Sequence, residues 1–296
     1  MSTFRGLIAL CAFILSLPAF ADNQHASDNA KALTQEQKQQ RRIIALAPHL
    51  VESLYAIGAG EQIIGTSAHA DYPAAAKDIL RVGNYARLQI EKILQLNPDV
   101  IIAWKTGNPA DDLERLEKYQ LRVVYSAPTQ IEDVAAEILM LGELTGREAA
   151  AKTLATKYLA HLKQLKQTYS IKSPVKVFYE MWARPLRTVA KNALLQQQVE
   201  LCGGNNPFAN AVDDYPIVGL EQVLTSLPQV VIQPAPYSAD NRDSLNWQQW
   251  PHIPAAKNNF VFHPNPDKTH RLTTRMLDEV KIMCEQIDTA RKFYQD

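Results

Sequence analysis

Apolar residues in this chain form short runs separated by segments with helical spacing. The runs at residues 43–46, 63–66, 100–104 and 176–179 are each bounded by turn-forming or polar residues. Runs of this length, apolar at consecutive positions, are typical of strands buried on both faces of a parallel sheet. Strands alternating with helices predict an α/β fold in which helices cover a central parallel sheet.

One segment of the pattern occurs twice, with equivalent residues offset by 130 positions. Each copy has an aromatic residue, a short amphipathic helix with one acidic residue, a proline and an apolar strand. The first copy contains Tyr85, Glu91, Pro98 and residues 100–102, and the second contains Tyr215, Glu221, Pro228 and residues 230–232. The repeat predicts two similar lobes with a cleft between them, which favours a binding protein over an enzyme.

The hydrophobic pattern also predicts the domain organisation. Arg5, the apolar residues 6–17 and the ending Pro-Ala-Phe-Ala indicate a secretory signal peptide at 1–21, cleaved after Ala21. Cys11 leaves a lipid anchor as an alternative, although Leu10 stands where a lipoprotein site needs a small residue. We predict a flexible leader at 22–41, a first lobe at 42–128, a linking helix at 129–170 and a second lobe at 171–296.

Charge and cysteine content narrow the class further. Lys and Arg together number 31, as do Asp and Glu, so the chain has no basic excess that would favour nucleic acid as a partner. Cys202 and Cys284 follow the signal segment, and in an oxidising compartment such a pair forms one disulfide most simply. Two buried free thiols are the alternative.

Five aromatic residues come after predicted strands or in loops at the expected cleft. In parallel α/β sheets, ligands bind beyond the carboxyl ends of the strands. A ring of aromatic side chains there suits a large, flat, partly apolar ligand, although each could instead pack the edge of its lobe. These candidates are Tyr72, Tyr85, Trp104, Trp182 and Tyr215.

Charged residues supply two further hypotheses. Glu91 and Glu221 occupy the same position in the two copies, so they could bind arginines of a two-fold symmetric partner, or they could be solvated surface residues. Asp267 and Arg271 follow the last predicted strand and could hydrogen-bond polar groups of a ligand. Alternatively, Asp267 could be the N-cap of a helix.

Metal and catalytic motifs are not found in the sequence. There is no His-Glu-x-x-His, Cys-x-x-Cys, phosphate loop or nucleophile elbow. A zinc site built from His49, His69 and His263 is the one metal hypothesis that the histidines allow. We therefore expect no catalytic residue, no metal and no cofactor, with a secreted metal-dependent hydrolase as the alternative from another class.

Three stretches, at 67–73, 101–108 and 198–208, carry a family resemblance. The chain resembles the helical-backbone periplasmic binding proteins of ABC importers for siderophores, haem and cobalamin, and the first two stretches resemble the cobalamin branch. The resemblance implies two Rossmann-like lobes with central parallel sheets joined by a single long helix. It implies a periplasmic monomer with cobalamin (vitamin B12) as its transported ligand and an inner-membrane permease dimer as its partner.

The resemblance also implies roles for individual residues. The five aromatics would surround the corrin, Asp267 and Arg271 would contact its polar periphery, and Glu91 and Glu221 would bind arginines of the permease. It also implies a disulfide between Cys202 and Cys284. This chain has Tyr85 and Tyr215 where members of the cobalamin branch carry tryptophan, and His49 with His69 would suit haem. An iron-siderophore or haem-binding subunit is therefore the alternative within the family.

Overall fold

The computed structural model describes residues 33–235, 238 and 243–295 of the 296-residue chain. The predicted signal peptide and leader residues 22–32 lie outside the described residues. Within those ranges, no helix is both long and apolar enough to cross a bilayer.

The first lobe is built around a parallel sheet in the order β2-β1-β3-β4. Alternate residues of its strands face two different cores, because side chains of a strand point alternately to the two faces of the sheet. Its elements, with the helix that precedes them, are α1 (Gln35–Gln39), β1 (Ile43–Ala45), α2 (Pro48–Ala56), β2 (Ile63–Thr66), α3 (Ile90–Leu96), β3 (Val100–Trp104), α4 (Ala110–Lys118) and β4 (Val123–Ser126).

The link between the lobes begins with two helices, α5 (Asp133–Thr145) and α6 (Glu148–Leu165). They meet at Gly146, whose φ of +66° is left-handed and therefore suits glycine at a helix C-terminus. One π-helical turn, Lys166–Ser170, continues α6. The predicted linking tract at 129–170 is thus divided at Gly146, and α6 is the single long helix.

The second lobe repeats the first one in topology. Its parallel sheet has the order β10-β9-β5-β8, and a two-stranded hairpin, β6-β7, lies beside it. The hairpin was not predicted from the sequence. The elements are β5 (Val175–Tyr179), β6 (Trp182–Ala183), β7 (Leu186–Arg187), α7 (Leu194–Leu201), β8 (Gly204–Asn205), α8 (Leu220–Ser226), β9 (Val230–Ile232), α9 (Pro254–Lys257), β10 (Val261–Phe262), α10 (Pro266–Thr269) and α11 (Thr274–Gln295).

A single apolar core extends through both lobes. It includes Ile43 and Ile102 of the first sheet and Val177 and Ile232 of the second, together with residues of α2, α5, α6 and α11. Apolar burial of this kind is the main favourable term in folding. The predicted fold class, two lobes with parallel sheets joined by a long helix, is confirmed.

The leader is not flexible throughout. Thr34 and Gln37 form a capping box that starts α1, and Gln39 donates a hydrogen bond from Nε2 to the Gly146 carbonyl at 2.9 Å. Lys38 pairs with Glu148 at 2.9 Å. The last carbonyl groups of a helix have no hydrogen-bond partner within that helix. The α1 segment supplies a donor to the carbonyl at the end of α5. Residues 35–39 of the predicted leader are therefore helical and hydrogen-bonded to the end of α5.

The predicted disulfide is confirmed. Cys202, the residue after α7, is bonded to Cys284 in α11, with a Cα–Cα distance of 4.6 Å and no exposed surface on either residue. The bond closes a loop with a sequence separation of 82 residues inside the second lobe.

Candidate functional site

Trp104 is held rigidly at the carboxyl end of β3. Its backbone N–H donates to Asn108 Oδ1 at 2.7 Å, and Asn108 Nδ2 donates to the Leu46 carbonyl at 2.8 Å. The indole lies against Gly107, where an added Cβ would approach Trp104 Cε3 to 1.8 Å, so only glycine fits this turn. The His49 ring packs edge-on against the indole, with centroids 5.3 Å apart.

Trp182 and Tyr215 are brought together by the β6-β7 hairpin. Trp182 pairs with Arg187 across the hairpin, and Arg187 forms an antiparallel bridge with Ile217. The Arg187 guanidinium donates from Nη1 to the Tyr215 carbonyl at 2.8 Å. Trp182 and Ile217 are 60% and 59% exposed, so this part of the second lobe offers a row of accessible apolar side chains.

Tyr85 stands at the tip of a tight loop in the first lobe. Asn84 Oδ1 accepts hydrogen bonds from the N–H groups of Ala86 and Arg87 at 2.9 and 3.0 Å, which fixes the turn around Tyr85. Gly83, with φ of +147°, bridges Leu88 to close the loop. The side chain of Tyr85 is 78% exposed and therefore free to meet a ligand or partner.

Arg271 forms an ionic cluster rather than an open binding group. Its guanidinium donates to Glu52 Oε1 at 2.8 Å, to Asp71 Oδ1 at 2.7 Å and to Asp267 Oδ1 at 2.8 Å. Burial alone would lower the pKa of Arg271, but its hydrogen bonds to Asp71 and Glu52 outweigh that effect and raise the pKa. Asp267 keeps 62% of its side chain exposed. It is not the N-cap of α10, because Asn265 caps that helix.

Tyr72 belongs to the same cluster through Arg275. The Arg275 Cζ atom lies 3.5 Å from the Tyr72 ring centroid, a cation–π contact that covers one face of the ring. Arg275 also donates from Nε to Glu52 Oε2 at 2.9 Å. A cavity of about 230 Å³ beside the cluster is lined in part by Tyr72, Ser53 and Thr273. The sequence analysis did not identify Glu52 or Arg275 as site residues. A glutamate within the apolar helix α2 was a signal that could have indicated Glu52.

A buried polar trio lies beneath Trp104. Ser126 Oγ donates to Glu137 Oε2 and lies 3.5 Å from His49 Nε2. Burial raises the pKa of Glu137 to about 7, and burial together with the Arg271 charge lowers the pKa of His49 to about 4. Ser126 is only 2% exposed, so this trio presents no accessible nucleophile. His49 is likewise turned into the protein rather than toward a ligand.

The candidate residues are thus grouped unevenly. Tyr72, Asp267 and Arg271 share the ionic cluster, and Trp182 is linked to Tyr215 through Arg187. Trp104 packs against His49, and Tyr85 stands on a separate loop. Among the described residues, no group of three or more His, Cys, Asp or Glu side chains could hold a metal ion. His49, His69 and His263 therefore do not converge.

Glu91 and Glu221 occupy equivalent places in the two lobes. Each is the second residue of a seven-residue helix, α3 or α8, and each is exposed. A carboxylate in the first helical turn is stabilised by the helix dipole. Both carboxylates therefore occupy equivalent helical positions and are accessible to a partner.

Comparisons with known proteins identify the family. The family model described as "Periplasmic binding protein" matches residues 43–267. The vitamin B12-binding protein of Vibrio campbellii is 36% identical over 253 residues, covering 85% of this chain and 91% of that protein. That of Vibrio vulnificus strain YJ016 is 36% identical over 245 residues, covering 82% and 89%.

Solved structures give the same result. The crystal structure of the periplasmic vitamin B12-binding protein of Vibrio cholerae matches with a TM-score of 0.79 and 33% identity, covering 86% of this chain and 99% of that one. A haem-binding protein of the same organism matches with a TM-score of 0.72 at 18% identity, covering 84% and 99%, which shows the shared fold alone. With a family match over most of its length and relatives above 30% identity, this chain belongs to the periplasmic binding protein family.

Proposed function

We propose that this protein is the periplasmic subunit that captures cobalamin for an ABC importer and delivers it to the membrane permease. The observation that carries the proposal is the 36% identity to a vitamin B12-binding protein over 85% of the chain. Trp104 at the carboxyl end of β3 and the exposed side chains of Tyr85, Trp182 and Tyr215 support it independently.

The ligand would lie between Trp104 of the first lobe and the Trp182–Tyr215 row of the second. A corrin ring is large and flat, so it can stack on aromatic faces, and each such contact contributes roughly 0.5–1.5 kcal/mol beyond the area buried. Its peripheral amides need polar partners, and Asp267 keeps its carboxylate accessible for them. Tyr72 and Tyr85 would complete the aromatic lining.

Glu91 and Glu221 would dock the protein on the permease. Because both are exposed at equivalent positions of repeated helices, they match a partner with two equivalent arginine sites, as a permease dimer would offer. We propose that docking and ligand binding use different surfaces. We propose that the protein acts in this way as a monomer.

The proposed role is not catalytic. Ser126 and His49 are buried, and the ligand would be released unchanged to the permease. We further propose that the protein reaches the periplasm through a signal peptide cleaved after Ala21.

The test is a calorimetric titration of residues 22–296 with cyanocobalamin, haemin and a ferric siderophore. We expect tight 1:1 binding of cyanocobalamin only. Binding of haemin or the siderophore, with no heat from cyanocobalamin, would replace the proposed ligand while retaining the importer role.

A further inference from the structure

The carboxylate of Glu52 joins the two lobes through two arginines. Glu52 lies in α2 of the first lobe and has only 3% of its side chain exposed. Arg275 of the second lobe binds it with two hydrogen bonds, Nε to Oε2 at 2.9 Å and Nη2 to Oε1 at 2.7 Å. Arg271 adds a third, from Nη1 to Oε1 at 2.8 Å. Paired hydrogen bonds between a guanidinium and a carboxylate fix orientation as well as distance.

Both arginines also hold residues proposed to meet the ligand. Arg271 binds Asp267 at 2.8 Å and, across the lobes, Asp71 at 2.7 Å and the His69 carbonyl at 3.3 Å. Arg275 covers one face of Tyr72. Glu52 is therefore connected to the polar and aromatic sides of the proposed site.

Burial makes the contact between Glu52 and the two arginines rigid. A carboxylate taken out of water is stable only where hydrogen bonds and opposite charges replace its hydration, so Glu52 keeps both guanidiniums in place. If the lobes move apart at this edge, three charge-assisted hydrogen bonds break together. The shared apolar core restrains the lobes elsewhere but supplies no comparable directional contact here.

We infer that Glu52 is a positioning residue that sets the separation of the lobes at the polar end of the cleft. It thereby places Tyr72 through Arg275 and Asp267 through Arg271 for the ligand. The part concerning the ligand rests on the proposed function, whereas the part concerning lobe separation does not. Replacing Glu52 with glutamine removes its charge and one of its two acceptor oxygens, so Arg275 cannot form the paired contact. Arg271 keeps Asp71 and Asp267. The mouth of the cleft then samples a wider range of openings.

The test compares Glu52→Gln with Glu279→Gln. Glu279 is a matched control because it is a buried carboxylate of α11 paired with Lys268 at 3.1 Å inside the second lobe. Spin labels at Glu114→Cys in the first lobe and Asn210→Cys in the second report the distance between the lobes without ligand. We expect Glu52→Gln to broaden this distance distribution and weaken cyanocobalamin binding about tenfold. Glu279→Gln should leave the distribution unchanged and affinity within about twofold.

An unchanged distance distribution in folded Glu52→Gln, or equal broadening in Glu279→Gln, would overturn the inference. If Glu52→Gln does not fold, Arg275→Gln breaks the same contact while leaving Glu52 paired with Arg271, and it should broaden the distribution to a smaller extent. A wild-type protein that fails to bind cyanocobalamin refutes the proposed function, but the ligand-free distances still decide the role of Glu52.

Discussion

The two copies of the repeat have nearly the same backbone. Asn97 and Leu227 end α3 and α8 with φ of 43° and 49°, in the left-handed region. In the next turn, the Asp99 carboxylate accepts from the Arg42 N–H at 2.7 Å, and the Gln229 amide oxygen accepts from the Lys176 N–H at 2.9 Å. The position requires an acceptor for a backbone N–H rather than a particular side chain.

The cleft faces of the two lobes differ. The first lobe has a clamped tryptophan at the end of β3, whereas Pro234 occupies the corresponding place after β9 in the second. Tyr85 is 78% exposed and Tyr215 is 41% exposed. We interpret the similarity of α3 and α8 as suited to a symmetric partner. We interpret the difference between the two cleft faces as suited to an asymmetric ligand.

The largest expected difference between the lobes comes from the disulfide, which lies in the second lobe only. Replacing Cys202 and Cys284 with alanine should lower the free energy of unfolding by about 4–5 kcal/mol, because the closed loop is long. Urea denaturation measures the loss, and hydrogen exchange should show a greater loss of protection in β5 and β9 than in β1 and β3. A loss below about 1 kcal/mol, or equal effects in both sheets, would contradict this prediction.

Two buried carboxylates, Glu137 of the linking helix α5 and Glu180 of the second lobe, differ in their hydrogen-bond partners. Glu180 accepts from Gln233 Nε2, Trp247 Nε1 and the Leu245 N–H, whereas Glu137 Oε1 has no hydrogen-bond partner in the described structure. Burial raises the pKa of both, and that of Glu137 rises from 4.5 to about 7. The three donors favour the charged form of Glu180 and limit its shift.

This contrast predicts a pH dependence. The folded protein binds the Glu137 proton more tightly than the unfolded chain, so its contribution to stability is present below pH 4.5 and lost as the pH rises through 7. Relative to Glu137→Gln, wild-type stability should fall by about 2 kcal/mol between pH 5 and 8. Thermal denaturation of both proteins across this range measures the difference, and Glu180→Gln should show a weaker trend. A constant difference would exclude the raised pKa.

A transport assay tests whether α3 and α8 contribute equally to docking. Glu91→Ala with Glu221→Ala should reduce cobalamin uptake at least tenfold while leaving cobalamin affinity unchanged, since buried charge pairs at an interface contribute about 2–5 kcal/mol. The matched control is Glu114→Ala with Glu143→Ala, two exposed carboxylates on other helices. Normal uptake by the double variant would refute the docking role. If only one of the two single variants, Glu91→Ala or Glu221→Ala, reduced uptake, the two glutamates would not contribute equally.

Substitution of Trp104 tests whether the first lobe's cleft face binds the ligand through this side chain. Trp104→Ala should weaken cobalamin binding about tenfold, because a clamped aromatic surface is lost. Tyr119→Ala is the control, since this tyrosine is 55% exposed at the far end of α4. Calorimetry gives both affinities. Wild-type affinity in Trp104→Ala would remove this residue from the site.

The sequence predicted those parts of the fold that depend on local patterns. The strands at residues 43, 63, 100 and 230 and the helices at Ile90 and Leu220 follow from apolar spacing and turn residues. The β6-β7 hairpin was missed because two residues per strand leave no periodicity. Glu52 and Arg275 are 223 residues apart, and their contact depends on how the lobes pack, so no local pattern indicates it.

The most direct test of ligand binding between the two cleft faces is a crystal structure of the protein with cyanocobalamin. We predict the corrin between Trp104 and the Trp182–Tyr215 row, with Asp267 at its polar edge and with Glu91 and Glu221 still exposed. A corrin bound outside this cleft, or one in contact with Glu91 or Glu221, would contradict the separation of ligand binding from docking.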